Sequence, residues 1–196
     1  MISMDRREAI KITALLMGGT VFTPNISGVL SGCTPRNDVP WKPKLFSAPQ
    51  AALVTALADT IIPPDEDPGA SDAGVPRFID ETVHATYTSA QQAYFLEQLD
   101  EFNRQARSRM NADFVDLDRD RQHRFTGEIN QVAVKGELVA PDDALVKEPF
   151  ILVFKELVLL GFFTSEAGAT QVLQYRLNPG RFDGCMPLEE IGRAWA

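Results

Sequence analysis

Apolar residues recur at helical spacing along most of this chain, and the breaks in that spacing mark its elements. Ser47 with Gln50 forms a capping box, and the helix it opens carries Leu53, Val54, Leu57, Ala58 and Ile61 on one stripe before Pro63-Pro64 stops it. A loop rich in carboxylates and turn formers follows, from Asp65 to Gly74. Pro76 suits the first turn of a second helix, with Phe78, Ile79, Thr82 and Val83 inward. Ser89 and Gln92 read as a further capping box for a long amphipathic helix marked by Leu96, Leu99, Phe102, Ala106 and Met110. Its other face holds Glu97, Asp100, Glu101, Arg104, Arg107 and Arg109, a solvated face with helical ion pairs. Asp116 or Asp118 opens the next helix, through Phe125 and Ile129, and Lys135 to Lys147 reads as a loop.

The stretch from Pro149 to Pro187 stands apart. Phe150 to Gly161 has only the adjacent charges Lys155 and Glu156, and a helix apolar on nearly every side is buried or covered by a partner. Gly161 is expected to break it. Thr164 or Ser165 can then cap a second helix toward Tyr175, with Glu166 near its positive end. Asn178-Pro179-Gly180 is a turn signal, and residues 181–187 are too mixed for regular structure. No alternating apolar run is long enough to argue for a sheet. The expected class is therefore all-α, a single small domain of about five to seven helices with long loops over residues 47–196.

Residues 1–32 read as a leader. Arg6-Arg7 precede an apolar run from Ile12 to Phe22, which is signal-peptide length and too short to span a bilayer. The arginine pair before a soft apolar core resembles a twin-arginine export signal, the route for cargo that crosses the membrane folded. An ordinary secretory leader is the alternative, since Asp5 stands where a serine or threonine is usual. Leu30-Ser31-Gly32-Cys33 resembles a bacterial lipobox, which makes Cys33 the expected lipidation site and residues 33–46 an extended tether. Thr34 after it favours the outer membrane over the inner. The other reading of Cys33 is a buried or disulfide cysteine, with Cys185 its one possible partner.

Charge and chemistry narrow the function. The formal charge is −8, and without residues 1–32, which hold three basic and two acidic side chains, it is −9. That argues against a nucleic-acid partner and against electrostatic attachment to anionic lipid. His84 and His123 fall on different helices in no metal-ligand spacing. Cys185 beside Met186 and Pro187 reads as a packing residue more than as a reactive thiol. The carboxylates from Asp65 to Asp72 do not fall at the positions of a calcium loop, and a solvated loop is the expectation. There is no CxxCH, no cysteine set for an iron–sulfur cluster and no glycine-rich turn for a flavin or nicotinamide. No catalytic, cofactor-binding or metal residue is assigned.

Two blocks carry a resemblance to a known family. Ala58-Asp59-Thr60-Ile61-Ile62-Pro63 with Pro68-Gly69-Ala70 and Ala73-Gly74-Val75 is one. The longer is Glu156-Leu157 to Thr170, with Pro179-Gly180-Arg181-Phe182-Asp183-Gly184-Cys185. Together they resemble the gluconate 2-dehydrogenase subunit 3 family. The resemblance implies a small non-catalytic subunit beside a large FAD-dependent oxidoreductase of the glucose–methanol–choline class. That large subunit oxidises sugars, sugar acids or glycosides, and a cytochrome c often takes its electrons. It also implies that the small subunit, carrying the signal, takes its partner out by the twin-arginine pathway. Phe162, Phe163, Thr164, Glu166, Arg181, Phe182 and Asp183 become candidates for the partner interface, with ordinary core as the other reading of the phenylalanines. Two rival roles remain: Glu166 or Arg181 completing the partner's substrate pocket or electron exit, and a stand-alone helical lipoprotein.

Overall fold

The computed structural model describes residues 41–136, 148–175, 177, 178, 180, 184, 185 and 187–195. Among them lie six α-helices and no strand: α1 (Ala48–Ile61), α2 (Val75–Thr86), α3 (Ser89–Met110), α4 (Arg119–Val134), α5 (Phe150–Phe163) and α6 (Leu188–Ile191). A 3₁₀ turn (Phe114–Asp116) precedes α4 and a π-helical turn (Gly168–Val172) comes after α5. The all-α expectation holds. Arg6, Arg7, Cys33, Arg181, Phe182 and Asp183 lie outside the described residues, as does most of the expected Lys135–Lys147 loop.

Helices α1 and α5, the two richest in apolar residues, form the centre, and each packs against α2, α3 and α4 as well as against the other. That position explains their composition, because a helix with neighbours on several sides cannot carry a wide polar face. Between them they bury Leu53, Val54, Leu57, Ile151, Phe154, Val158 and Phe162. The outer helices each contribute one stripe. In α3 it is Phe95, Leu99, Phe102 and Ala106, with the expected Leu96 and Met110 only half-buried at its margin. Aromatic rings join the layers: Phe150 meets Phe95 at 5.3 Å between centroids and Phe154 at 5.6 Å, and Phe102 meets Phe125 at 5.1 Å and Phe114 at 5.2 Å. Such edge-on and tilted pairs add to the stabilisation from burial alone.

Helix ends obey local chemistry. The Ser47 backbone N–H donates to Gln50 Oε1 at 3.1 Å, as the capping-box spacing predicts. For α3 the cap is Thr88 rather than Ser89: Gln91 N–H donates to Thr88 Oγ1 at 3.3 Å, and Gln91 Oε1 accepts the Thr88 N–H at 2.9 Å. Both residue pairs have the spacing. Thr88 wins because Gln92 is engaged elsewhere, its amide donating to the carbonyls of His84 at 2.9 Å, Tyr87 at 3.0 Å and Val83 at 3.3 Å. One side chain thus covers the open end of α2 while starting α3. Of the two aspartates proposed to open α4, Asp118 does so, accepting the Arg121 N–H at 2.9 Å, while Asp116 ends the 3₁₀ turn.

The acidic loop between α1 and α2 is partly structural. Asp65, Glu66 and Asp67 are solvated, as expected. Asp59 and Asp72 are turned to backbone instead, accepting the Ser71 N–H at 2.8 Å and the Gly69 N–H at 3.0 Å. Half-burial pushes the Asp59 carboxyl upward, against the lowering effect of the Ser71 bond.

Asp80 is the buried charge that the α2 pattern hides. It is fully buried, and it accepts the backbone N–H groups of Lys44 at 2.7 Å, Leu45 at 3.0 Å and Phe46 at 3.1 Å. Residues 44–46, in the stretch read as a tether, are thereby fastened to the body. Phe46 is 5% exposed and stacks on Phe95 with centroids 6.2 Å apart.

Candidate docking surface

Helix α5 does not end at Gly161. It runs through to Phe163, because the missing side chain at Gly161 is filled by Phe78 of α2, whose Cδ1 would lie 2.6 Å from a Cβ there. The glycine serves packing between α5 and α2, and the helix continues for two further residues.

Those two residues lengthen an exposed face of α5. Residues three and four apart share a helix face, and Glu156, Leu159, Leu160 and Phe163 fall on the side of α5 that no other helix covers. Leu159 is 39% exposed, Leu160 50% and Phe163 42%. Directly behind them Leu157, Val158, Gly161 and Phe162 are buried, so the stripe sits on a rigid support. Of the two candidate phenylalanines, Phe162 takes the core position at 2% exposure and Phe163 the surface one. Their rings meet edge-on at 5.3 Å.

Past α5 the chain makes a tight reversal. Thr164 caps the helix with its hydroxyl donating to Leu160 O at 2.6 Å, and the Ser165 hydroxyl donates to Phe162 O at 2.6 Å while accepting the Gly168 N–H at 3.0 Å. Thr170 Oγ1 donates to Glu166 O at 2.7 Å. Ser165 thus caps a second helical segment, as expected, but that segment is short, residues 166–172, and stops before Tyr175. Gly168 lets this segment lie against the end of α5, so close to the Phe162 carbonyl that any Cβ would overlap it. The unusual composition from Phe162 to Thr170 thus has a local cause. Three hydroxyls satisfy carbonyls at a sharp bend, and a glycine admits the close approach.

Glu166 and Thr164 are exposed at the end of the stripe. Beyond the turn the chain closes on its own end, where Gln174 N–H donates to Ala194 O at 2.7 Å and Arg193 donates to Gln171 O. Tyr175, Leu177 and Trp195, exposed at 57%, 88% and 40%, stand on this closed segment. Cys185, read as a packing residue, is exposed there too.

The electrostatics are one-sided. Lys155 is turned aside, its Nζ donating to Asn130 Oδ1 at 2.8 Å. Glu156 stays in solvent, and its charge adds to burial in raising the Tyr87 phenol above its ordinary value. A groove beside it, lined by Tyr87, Tyr94, Phe95, Gln98, Glu148, Phe150 and Val153, holds ≈ 10 Å³, room for about one water and not for a sugar. His84 and His123 are exposed on separate helices. Among the described residues no three His, Cys, Asp or Glu side chains are placed to hold a metal ion, and no helix is long and apolar enough to cross a membrane.

The arrangement can present a firm apolar ridge to another macromolecule. Sequence reading placed Phe163, Thr164 and Glu166 there and missed Leu159 and Leu160. Their signal was present as the i, i+3, i+4, i+7 series from Glu156, but it lies within a helix apolar all round, where no stripe stands out. Comparison with known proteins gives one finding of kinship: the family model described as Gluconate 2-dehydrogenase subunit 3 matches residues 48–180, a span that includes α1 to α5 and the reversal. No curated protein and no solved structure matches the chain.

Proposed function

Because this chain belongs to the gluconate 2-dehydrogenase subunit 3 family, we propose that it is the small subunit of a dehydrogenase complex and that it binds, escorts and stabilises the larger subunit. The partner is an FAD-dependent oxidoreductase of the glucose–methanol–choline class acting on a sugar or glycoside, with the flavin wholly in that partner and a cytochrome c as electron acceptor. The observation that carries the reading is the exposed ridge of Leu159, Leu160 and Phe163 on α5, inside the family-matched region. Exposed apolar side chains at helical spacing over a rigid core are the form in which a helix enters a partner's groove. Water contact at such a ridge is unfavourable, and docking removes it.

The leader completes the role. Arg6 and Arg7 direct the folded pair through the twin-arginine route, and Cys33 carries the lipid that holds it on the periplasmic face of the outer membrane. A flavoprotein must fold around its cofactor before export, so a leader for folded cargo on a cofactorless subunit serves both chains. The test is co-expression of the large subunit with this chain or with its Arg6→Lys/Arg7→Lys variant, and then assay of dehydrogenase activity in periplasm and cytoplasm. The expected result is periplasmic activity with the native leader and cytoplasmic retention of both chains with the variant. Equal export of the large subunit in both strains would refute the escort role.

A second reading has its own observation. Glu166 is an exposed carboxylate at the end of the ridge, well placed to enter a partner's substrate pocket or electron exit. Glu166→Ala would then lower turnover of an intact complex, whereas under the escort reading turnover is unchanged.

A further inference from the structure

The ridge on α5 is bordered by acids that have no partner within the described chain. Positions 152, 156, 160 and 163 advance by about one helical turn each and so share a line along α5, while Glu148 lies just ahead of the helix N-cap, Pro149. Glu156 is exposed on that line, Glu148 is exposed ahead of the helix, and Glu166 is exposed at the reversal just beyond Phe163. Two acids of the other helices are neutralised by neighbours, while others there, Glu97 and Glu128 among them, are also exposed and outside the described ion pairs. Glu81 pairs with Lys44 at 3.3 Å and Arg77 at 3.2 Å, and Glu101 pairs with Arg104 at 2.8 Å. Among the described ion pairs none involves Glu148, Glu156 or Glu166. Lys155, the cation of α5, is committed to Asn130.

Resting on the docking role proposed above, we propose that α5 seats in an apolar groove of the larger subunit whose rim carries lysine and arginine, with Glu148, Glu156 and Glu166 meeting those cations around Leu160 and Phe163. Charge complementarity selects this occupant. A second copy of this chain, at a net −8 and with the same acids on the same ridge, would bring like charges together. A basic rim on a protein of different sequence relieves the repulsion and fixes the register of the helix in its groove. Rim charges of this kind speed association and suppress wrong partners more than they add affinity.

The full chain and the co-expressed large subunit supply the test, with association measured by surface plasmon resonance at low and high salt. Glu156→Lys/Glu166→Lys is expected to slow association about tenfold or more at low ionic strength, with the deficit shrinking as salt screens charges beyond about 10 Å. The milder Glu156→Gln/Glu166→Gln gives an intermediate loss, and Glu97→Lys/Glu128→Lys, on exposed positions of α3 and α4, gives none. Circular dichroism confirms that each variant is folded. Binding of the charge-reversal variant at the native rate and with the native salt slope overturns the basic rim while leaving docking intact. Failure of the native chain to bind overturns both.

Discussion

Replacing Asp80 with alanine removes a buried carboxylate and leaves three backbone donors facing a void. Hydrogen bonds to a charged acceptor are each worth about 1.5–3 kcal/mol, and stranded donors add their lost hydration. The three do not sum, because Lys44 and Leu45 stand near solvent and can recover water, while Phe46, at 5% exposure, cannot. The expected loss is about 2–4 kcal/mol, dominated by the stranded Phe46 donor and the lost charge-assisted bonds. Domain stabilities run from about 5 to 15 kcal/mol, so this is a large share. Asp80→Asn discriminates further. Leu45 and Phe46 both donate to Oδ1, which an amide oxygen can replace, whereas Lys44 donates to Oδ2 at 2.7 Å and would meet an amide N–H instead. The asparagine variant should lose about 1–3 kcal/mol, concentrated at Lys44. Urea titration monitored by far-ultraviolet circular dichroism measures both losses, and amide hydrogen exchange at residues 44–46 locates them. An Asp80→Ala loss below about 1 kcal/mol would show that the carboxylate does not hold this segment to the body.

Other perturbations test other contacts. Gly161→Ala places a Cβ 2.6 Å from Phe78 Cδ1, and since that half-buried ring packs directly on the glycine the variant should lose about 1–3 kcal/mol in the same titration; a gain from better helix propensity would show that the ring can move aside. Asp113 accepts from Arg107, including Nη2 at 2.9 Å, and this holds its carboxyl below the ordinary 3.8. Its contribution is therefore present at neutral pH and fades as pH falls through and below 3.8, so Asp113→Asn should lower the melting temperature slightly near pH 7 and not in acid.

The helices were largely legible because their signals are local. Ser47 with Gln50 is a cap whose spacing identifies it, and the start of α4 was narrowed to Asp116 or Asp118, of which Asp118 accepts the Arg121 N–H. Gly161 was misread because its propensity argues for a break, while the reason for the glycine is Phe78, 83 residues earlier in the chain. Ser89 and Thr88 both have a glutamine three residues on, and only the engagement of Gln92 with the end of α2 decides between them. Asp80 was passed over because a charge on an amphipathic helix reads as solvated unless the segment that buries it is known. The ridge was half legible. Phe163, Thr164 and Glu166 lie in a block whose composition stands out, whereas Leu159 and Leu160 are lost among equally apolar neighbours until the packing shows which side of α5 stays open.

Site-specific photocrosslinking in the complex tests the docking of α5 most directly. A photoreactive amino acid is placed at Leu160, and separately at Arg107 on the solvated face of α3, with both chains co-expressed and cross-linked adducts identified by mass spectrometry. The account predicts an adduct to the large subunit from position 160 and none from position 107. Adducts from position 107 alone, with the complex intact, would show that the larger subunit binds elsewhere and that the ridge on α5 is not its seat.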